Sequence, residues 1–198
     1  MSFWDEKYRS TSLTERSWSQ LTPGPSLGII ESLRTDFENA IIDLGAGSTR
    51  LIDDLLTAGY RNLTALDISQ VALDELRGRV GESAHYICES ILEWVPTQRY
   101  QLAHDRAVFH FLNEAEEQQQ YKRVLLSAIA ESGFLVMGTF GPTGPEQCSG
   151  LPVTRWSAES LVHFFSPDFT KVESFEEVHR TPWESEQNFT WVVLQKSN

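Results

Sequence analysis

A glycine-rich turn between apolar segments is the part of this sequence best suited to hold a ligand. In IIDLGAGSTRL (residues 41–51), apolar residues and Asp43 lead into Gly45 and Gly47, and an apolar helical pattern follows. This pattern predicts a strand that meets a helix through a tight turn, because glycine adopts the backbone conformations that such a turn needs. Turns of this kind hold a phosphate, a dinucleotide or a nucleoside.

Two of these ligands fit the surrounding residues less well. The phosphate-loop pattern G-x-x-x-x-G-K-[ST] is absent from the sequence, which argues against nucleoside triphosphate hydrolysis. A dinucleotide fingerprint finds its first two glycines in Gly45 and Gly47, but Arg50 occupies the third position, where glycine allows close helix–strand packing. A nicotinamide-dependent oxidoreductase is therefore the weaker alternative.

Two acidic residues define the ligand more closely. Asp43 lies two residues before Gly45, and Asp67 ends the predicted second strand, 20 residues after Gly47. A carboxylate at the position of Asp67 can bind both hydroxyl groups of a ribose, or it can cap the turn that follows. Asp43 would repel a pyrophosphate, but it suits a ligand with an ammonium and a sulfonium group. S-adenosylmethionine carries both charges and one ribose.

Strands and helices alternate through most of the sequence that surrounds these residues. The predicted strands are 40–43, 62–67, 83–89, 99–105 and 134–140. The predicted helices have an apolar face over 27–37, span 49–58, begin after a cap at Ser69, and run from a capping box at Asn113 and Glu116 to Gly133. This alternation is typical of a parallel sheet with right-handed crossovers.

The last third of the sequence departs from this alternation. A loop rich in glycine and proline at 140–156 precedes a helix at about 157–165 and two strands, 168–179 and 188–196, that are joined by a short turn. The first strand is mostly polar, as at a sheet edge, whereas FTWVVL (189–194) is apolar on both faces, as in a sheet interior. We therefore expect the last strand to insert antiparallel inside the sheet.

Composition limits the class of protein. The chain has 198 residues, of which 40% are hydrophobic, and this predicts one domain over 1–198 with an aromatic strap at 1–25. The polar N-terminus lacks a signal-peptide core, and no apolar run reaches the roughly 18 residues of a membrane span. Cys88 and Cys148 form no disulfide or metal pattern. These features predict a cytoplasmic protein that does not contact a membrane.

The net charge limits the classes of partner that we expect, and the spacing of the histidines bears on a metal site. The net charge of −12 opposes nucleic-acid binding and leaves a small-molecule acceptor or a basic protein as partner. His104 and His110 lie six residues apart without a matching acidic cluster, so we expect no metal site. The sequence does not indicate an oligomeric state.

Over essentially its whole length, the sequence resembles class I S-adenosylmethionine-dependent methyltransferases. The resemblance rests on IIDLGAGS (41–48), ALDIS (65–69), CESI (88–91), LAHDRAVFHFL (102–112) and the reversed terminal hairpin. It implies a Rossmann-like α/β fold: a seven-stranded, mostly parallel sheet with helices on both faces and an antiparallel last strand inserted beside the edge. WDEKY (4–8) and HDRAVFHFL also resemble a small bacterial branch that is distantly similar to protein lysine methyltransferases. Those enzymes carry an Asp-Lys-Gly-Thr-like segment where this sequence has Asp-Arg-Ala-Val.

The resemblance also implies roles for individual residues. Asp43 and the glycine turn would line the methionine part of S-adenosylmethionine, Asp67 would bind the ribose, and Ile68 would pack on the adenine. Trp18, with Trp4 and Tyr8, is expected either to cover the sulfonium by cation–π attraction or to form a hydrophobic strap. The full set of expected cofactor-binding residues is Trp18, Asp43, Gly45, Ala46, Gly47, Asp67, Ile68, Glu89, Ser90, Ile91 and Asp105.

Asp105 and Arg106 are the predicted catalytic residues, because methyl transfer needs a positioned and deprotonated acceptor. Only one of these adjacent residues is expected to face the methyl group, and we assign that position to Asp105. Arg106 either binds an acceptor carboxylate or pairs with Asp105 or Glu89. The loop at 141–156 is expected to roof the acceptor site, with Arg155 at the rim.

The sequence favours methyl transfer to a small molecule over three alternatives. These are methyl transfer to a protein lysine, a nicotinamide-dependent oxidoreductase, and a cofactor-binding module without catalysis. Oxygen, nitrogen and sulfur acceptors share the same scaffold, so the acceptor atom stays open.

Overall fold

The structure is a computed structural model that describes residues 2–12, 15–16, 18 and 24–197. Its helices are α1 (Phe3–Ser10), α2 (Gly24–Ser32), α3 (Leu51–Ala58), α4 (Gln70–Val80), α5 (Ala115–Ala128) and α6 (Ala158–Phe165). Its strands are β1 (Ile41–Leu44), β2 (Leu63–Asp67), β3 (His85–Cys88), β4 (Tyr100–Arg106), β5 (Ile129–Phe140), β6 (Gln147–Cys148), β7 (Leu151–Pro152), β8 (Phe169–Arg180) and β9 (Glu186–Lys196). Parts of the predicted strap at 1–25 and of its TPGP segment (22–25) lie outside the described residues.

Seven strands form one sheet in the order β3-β2-β1-β4-β5-β9-β8. The first five strands in chain order run parallel to one another, and β9 pairs antiparallel with both β5 and β8. The strand order reverses at β1 and β4, where consecutive crossovers leave in opposite directions and open a crevice at the carboxyl ends of the strands. The predicted mostly parallel sheet with an inserted antiparallel strand is confirmed.

The position of β9 follows from its side chains. Phe189 to Leu194 are buried, whereas most of β8 is exposed. A strand that is apolar on both faces is stable only where both faces are covered, and a polar strand tolerates the sheet edge. The sequence reading of these two strands is therefore right.

Both faces of the sheet carry an apolar cluster. Adjacent residues of β1 point to opposite sides, so that Ile42 packs with α5 and α6 residues such as Tyr121, whereas Ile41 packs with α2, α3 and α4 residues such as Leu55. Helices thus cover both faces, as expected for parallel strands. Among the described residues, no helix is long and apolar enough to cross a membrane.

Three predicted element boundaries are wrong. Glu114 rather than Asn113 caps α5, and its N–H donates to the Glu117 carboxylate at 3.4 Å, because the Asn113 amide instead donates to the carbonyls of Phe111 and Pro152. β5 begins directly after α5 at Ile129 instead of at residue 134. The helix predicted to extend to residue 37 ends at Ser32.

Candidate active site

A cavity of about 230 Å³ opens at the carboxyl ends of β1 to β4. Clefts at this edge of a doubly wound sheet are where ligands of such folds bind. The lining residues that were predicted from the sequence are Trp18, Asp43, Gly45, Ala46, Asp67, Ile68, Glu89, Ser90, Ile91 and Arg106. Gly47 and Asp105 were also predicted, but neither lines the cavity.

The glycine turn after β1 requires its glycines. Gly45 and Gly47 have φ values of +64° and +55°, in the left-handed region that other residues adopt only with strain. A Cβ atom at Gly45 would collide with Val108, and one at Gly47 would collide with the Tyr8 hydroxyl. The turn is therefore closed on one side by Val108 and on the other by Tyr8, and it leads from β1 into α3.

Asp67 is held by the backbone at the end of β2. Its carboxylate accepts hydrogen bonds from the N–H of Gly47 at 2.8 Å and from the N–H of Ser69 at 2.7 Å. The side chain is only 7% exposed, and burial raises the pKa of Asp67 to about 6, although both hydrogen bonds act in the opposite direction. A carboxylate has about four acceptor positions, so two remain for a ligand that enters the cavity.

The two ends of the cavity differ in character. Beyond Asp67, the residues that follow β2 and β3 form a half-open end, where Ile68 is 46% exposed beside Glu89 and Ile91. On the side of β4, the ring of Trp4 meets Phe111 at 5.2 Å and lies edge to face with Trp18 at 6.1 Å. These rings give the cavity one apolar wall.

Asp105 does not lie where the sequence analysis placed it. Its side chain is 0% exposed, and it accepts hydrogen bonds from the N–H of Val108 at 3.0 Å, the N–H of Phe109 at 3.2 Å and the hydroxyl of Tyr121. Burial raises the pKa of Asp105 to about 6. This carboxylate points into the layer beneath α5, where it fixes the turn that carries Val108 against the glycine turn.

Arg106 faces the cavity instead, because adjacent residues of a strand point to opposite faces. Its Nη1 donates to the carbonyl of Trp18 at 3.0 Å, and its guanidinium carbon lies 4.9 Å from the centre of the Phe189 ring. It forms no ion pair with Asp105 or Glu89. The Nε and Nη2 atoms are buried and have no hydrogen-bond partner within the described part of the chain. Of the two adjacent residues, Arg106 lines the cavity and Asp105 does not, whereas the sequence analysis assigned that position to Asp105.

Several solved structures, two of them described as methyltransferases, share this architecture at low sequence identity. A structure from work on the conversion of a disulfide bond into a thioacetal group during echinomycin biosynthesis superposes with a TM-score of 0.78 at 19% identity, over 98% of this chain and 91% of that chain. The 1,6-didemethyltoxoflavin-N1-methyltransferase of Burkholderia thailandensis, with 1,6-didemethyltoxoflavin and S-adenosylhomocysteine bound, gives 0.73 at 19% identity, over 88% and 78%.

The superposition with a third structure covers both chains almost completely. The N-methyltransferase NodS of Bradyrhizobium japonicum, in complex with S-adenosylhomocysteine, superposes with a TM-score of 0.72 at 12% identity, over 98% of each chain. The chain has the class I methyltransferase fold. Neither a protein-family model nor a curated protein matches the sequence.

Within this methyltransferase fold, three side chains that the sequence analysis did not connect form a hydrogen-bonded chain. His104 Nδ1 lies 2.7 Å from a carboxylate oxygen of Asp43, and His104 Nε2 lies 2.9 Å from the hydroxyl of Ser26. All three residues are buried and line the cavity. Pairing of β1 with β4 places Asp43 directly beside His104, across 61 residues of sequence. Only a correct strand order could have revealed this contact.

The loop at 141–156 contributes less to the cavity than expected. Its β6–β7 hairpin places Cys148 in the cavity lining, and burial raises the pKa of this thiol to about 11. Arg155 lies outside the lining, because it pairs with Glu146 at 3.2 Å and donates to the carbonyl of Gly144 at 3.3 Å. Trp156 packs on Phe109 in the core. The prediction of Arg155 at the rim of the acceptor site is therefore wrong.

The described residues contain no group of three or more His, Cys, Asp or Glu side chains that could hold a metal ion. His110, the second histidine considered from the sequence, is fully buried, and its Nδ1 accepts the N–H of Phe140 at 3.3 Å. Burial, together with the charge of Arg106, lowers the pKa of His110 to about 3, so this imidazole is neutral.

Proposed function

We propose that the protein is an S-adenosylmethionine-dependent methyltransferase that acts on a small molecule. The observation that carries this proposal is the Asp67 carboxylate, which backbone N–H groups hold at the cavity beside a left-handed glycine turn. This is the arrangement that binds the two hydroxyl groups of a ribose. Solved structures of the same fold contain S-adenosylhomocysteine, which supports the choice of nucleoside.

The charges along the cavity suit this cofactor. Asp43 offers a buried carboxylate to an ammonium group, and Glu89 and Ser90 lie beyond Asp67, where an adenine amine needs hydrogen-bond acceptors. The exposed side chain of Ile68 offers an apolar surface to the adenine ring. When bound, the cofactor would supply a methyl group on a sulfonium. A nucleophilic atom of the acceptor would take this methyl by in-line displacement, with the thioether S-adenosylhomocysteine as leaving group.

The remaining task of the chain is to position the groups and exclude water. His104 acts as a positioning residue, because its contact with Asp43 fixes the orientation of that carboxylate and Ser26 fixes the imidazole in turn. The aromatic wall of Trp4, Trp18 and Phe111 keeps water from the side where the acceptor enters.

A small-molecule acceptor is supported by the depth of the site. Asp43, His104 and Cys148 line the cavity, and each is less than a tenth exposed, so this part of the cavity lies below the protein surface. The Burkholderia protein is described as a 1,6-didemethyltoxoflavin-N1-methyltransferase, and the Bradyrhizobium protein is described as an N-methyltransferase. We also propose a cytoplasmic location, which the two free thiols of Cys88 and Cys148 support.

Calorimetry tests the cofactor assignment. S-adenosylhomocysteine should bind the wild-type protein, and Asp67→Ala should weaken it by about 1–3 kcal/mol, since a charged hydrogen-bond acceptor is lost. Asp74→Ala is the matched control, because Asp74 is an exposed acid on α4 whose carboxylate accepts a hydrogen bond from Gln70 and which does not line the cavity. Binding of NAD without binding of S-adenosylhomocysteine would overturn the proposal.

Methyl-labelled cofactor then sorts the acceptors. The enzyme is incubated separately with the small-molecule fraction and the protein fraction of a bacterial extract, and labelled products are counted in each. We expect label in the small-molecule fraction. Label confined to protein would replace the small-molecule proposal with the protein-modifying alternative.

A further inference from the structure

The guanidinium group of Arg106 uses only part of its hydrogen-bonding capacity. Nη1 reaches the carbonyl of Trp18, whereas the buried Nε and Nη2 atoms have no partner among the residues described. Buried polar groups are almost always hydrogen-bonded, and a buried charge without a partner is costlier still. Nε and Nη2 form one edge of the guanidinium plane. This edge holds the two oxygens of a carboxylate in parallel.

The acidic side chains near Arg106 are already engaged. The Asp105 carboxylate accepts three hydrogen bonds on the other side of the sheet, and Asp43 is held by His104. Glu177 accepts the indole N–H of Trp191 at 2.7 Å. The neighbouring Cys148 thiol is protonated, because burial raises its pKa to about 11. Within the part of the chain that the structure describes, the free edge of Arg106 therefore has no anion, although the net charge of the chain is −12.

The guanidinium lies away from the half of the cavity assigned to the nucleoside. Asp67 and Glu89 follow β2 and β3, on one side of β1. Arg106 ends β4, which lies on the other side of β1. Its guanidinium lies over Phe189 of β9, which is two strands beyond β4 in the sheet. Two strand spacings correspond to about 10 Å. The free edge thus lies on the side of the cavity away from Asp67 and Glu89.

We propose that Arg106 anchors a carboxylate of the methyl acceptor, so that the substrates of this enzyme are small acids with an apolar or aromatic body. The apolar body follows from the rings near Arg106. The guanidinium lies over Phe189, and Trp18, whose carbonyl accepts from Nη1, lies edge to face with Trp4, which in turn meets Phe111. This inference rests on the proposed methyltransferase function. The other carboxylate that could reach this edge is that of the methionine moiety of the cofactor, and the experiments separate the two.

Calorimetry without acceptor identifies the source of the carboxylate. S-adenosylhomocysteine and 5′-methylthioadenosine, which lacks the amino-acid moiety, are titrated into wild type, Arg106→Gln, Arg106→Lys and the control Arg155→Gln. We expect all four proteins to bind each ligand within threefold of wild type. A tenfold or larger loss in Arg106→Gln for S-adenosylhomocysteine, without a loss for 5′-methylthioadenosine, would assign the edge to the cofactor and overturn the inference.

A labelling experiment tests the acceptor directly. A bacterial small-molecule extract is separated on an anion exchanger at pH 7 into retained and unretained pools, and each pool is incubated with methyl-labelled cofactor and each variant. Wild type and Arg155→Gln should label the retained pool only. Arg106→Gln should lose at least tenfold of this labelling, and Arg106→Lys should keep an intermediate level, because it retains the charge but not the bidentate edge.

Each remaining outcome is decisive. Label in the unretained pool, or undiminished labelling by a folded Arg106→Gln protein, overturns the acid-anchor role. Failure to label either pool while S-adenosylhomocysteine still binds also overturns it and leaves the cofactor site standing. If S-adenosylhomocysteine does not bind the wild type, the proposed function itself fails. Thermal unfolding of each variant confirms that losses do not reflect unfolded protein.

Discussion

The two ends of the cavity obtain their charged groups in different ways. At the cofactor end, Asp67 is fixed by the backbone N–H groups of Gly47 and Ser69, within 20 residues of chain. At the acceptor end, Arg106 is placed by Trp18, which is 88 residues away, and by Phe189 of β9. The first end is built from local turns. The second is built from distant parts of the chain around a guanidinium whose Nε and Nη2 atoms have no partner among the described residues. Ligand specificity can therefore change at the second end without disturbing the first.

We expect the largest effect from a substitution in the glycine turn at the end of the cavity that contains Asp67. Gly45→Ala forces a Cβ atom into a left-handed turn and against Val108, and we expect it to lower the free energy of unfolding by roughly 2–5 kcal/mol. Chemical denaturation measures this loss. Gly78→Ala in α4 is the control, because nothing lies within 4 Å of its new Cβ, and it should stabilise the protein by about 0.5–1 kcal/mol. Equal stability of the two variants would contradict the role of the turn.

A second change separates Asp105 from the site chemistry. Asp105→Ala leaves the N–H groups of Val108 and Phe109 and the Tyr121 hydroxyl without their acceptor, so the free energy of unfolding should fall by about 1–3 kcal/mol. Tyr121→Phe removes one donor only and should cost less. Urea denaturation gives both values. An Asp105→Ala protein as stable as wild type would show that this carboxylate does not hold the turn.

The pH dependence of cofactor binding sharpens the comparison. Since burial raises the pKa of Asp67 to about 6, the ionised acceptor is lost as pH falls through this value, with Asp43 and Asp5 adding repulsion. At pH 5, S-adenosylhomocysteine should bind roughly tenfold more weakly than at pH 7.5, which corresponds to about 1.4 kcal/mol. For the ligand-free protein the sign is opposite: a raised carboxyl pKa makes this residue less destabilising as pH falls below 6. Asp67→Asn should flatten the binding profile, and an unchanged slope would implicate another group.

The smallest effect is expected at Cys148. Cys148→Ala removes a neutral thiol from the acceptor end, so the affinity for S-adenosylhomocysteine should stay within threefold of wild type, or about 0.7 kcal/mol. Calorimetry again provides the value. A loss of tenfold or more would mean that the nucleoside reaches the β6–β7 hairpin and that the two ends are not separate.

The sequence predicts the cofactor end well because the determining interactions are local. The glycine turn and Asp67 follow from the order of strand, turn and helix, and the insertion of β9 follows from apolar residues on both of its faces. The acceptor end is different. Central residues of β4 such as Leu102 and Asp105 are buried whichever face they point to, so no polar–apolar alternation reveals which of Asp105 and Arg106 faces the cavity.

Long-range contacts were equally hidden in the sequence. His104 meets Asp43 and Ser26 across 61 and 78 residues, and neither spacing forms a known motif. Arg155 illustrates the opposite error, because a basic residue in a loop near the site pairs with its own loop at Glu146. The order of the strands in the sheet decides which of these residues meet, and local sequence patterns do not give that order.

The position of β9 between β5 and β8 has a consequence for folding during synthesis. During synthesis β5 and β8 emerge before β9, and each has to wait for the strand that will lie between them. Until then, one edge of β5 from Phe134 to Phe140 is open to other chains, as is the whole of the twelve-residue β8. Lys171, Glu173 and Glu176 are exposed polar residues of β8, and we expect such residues to disfavour pairing with other chains during this interval. Replacing them with apolar residues would leave the finished sheet intact but reduce the yield of protein that reaches it.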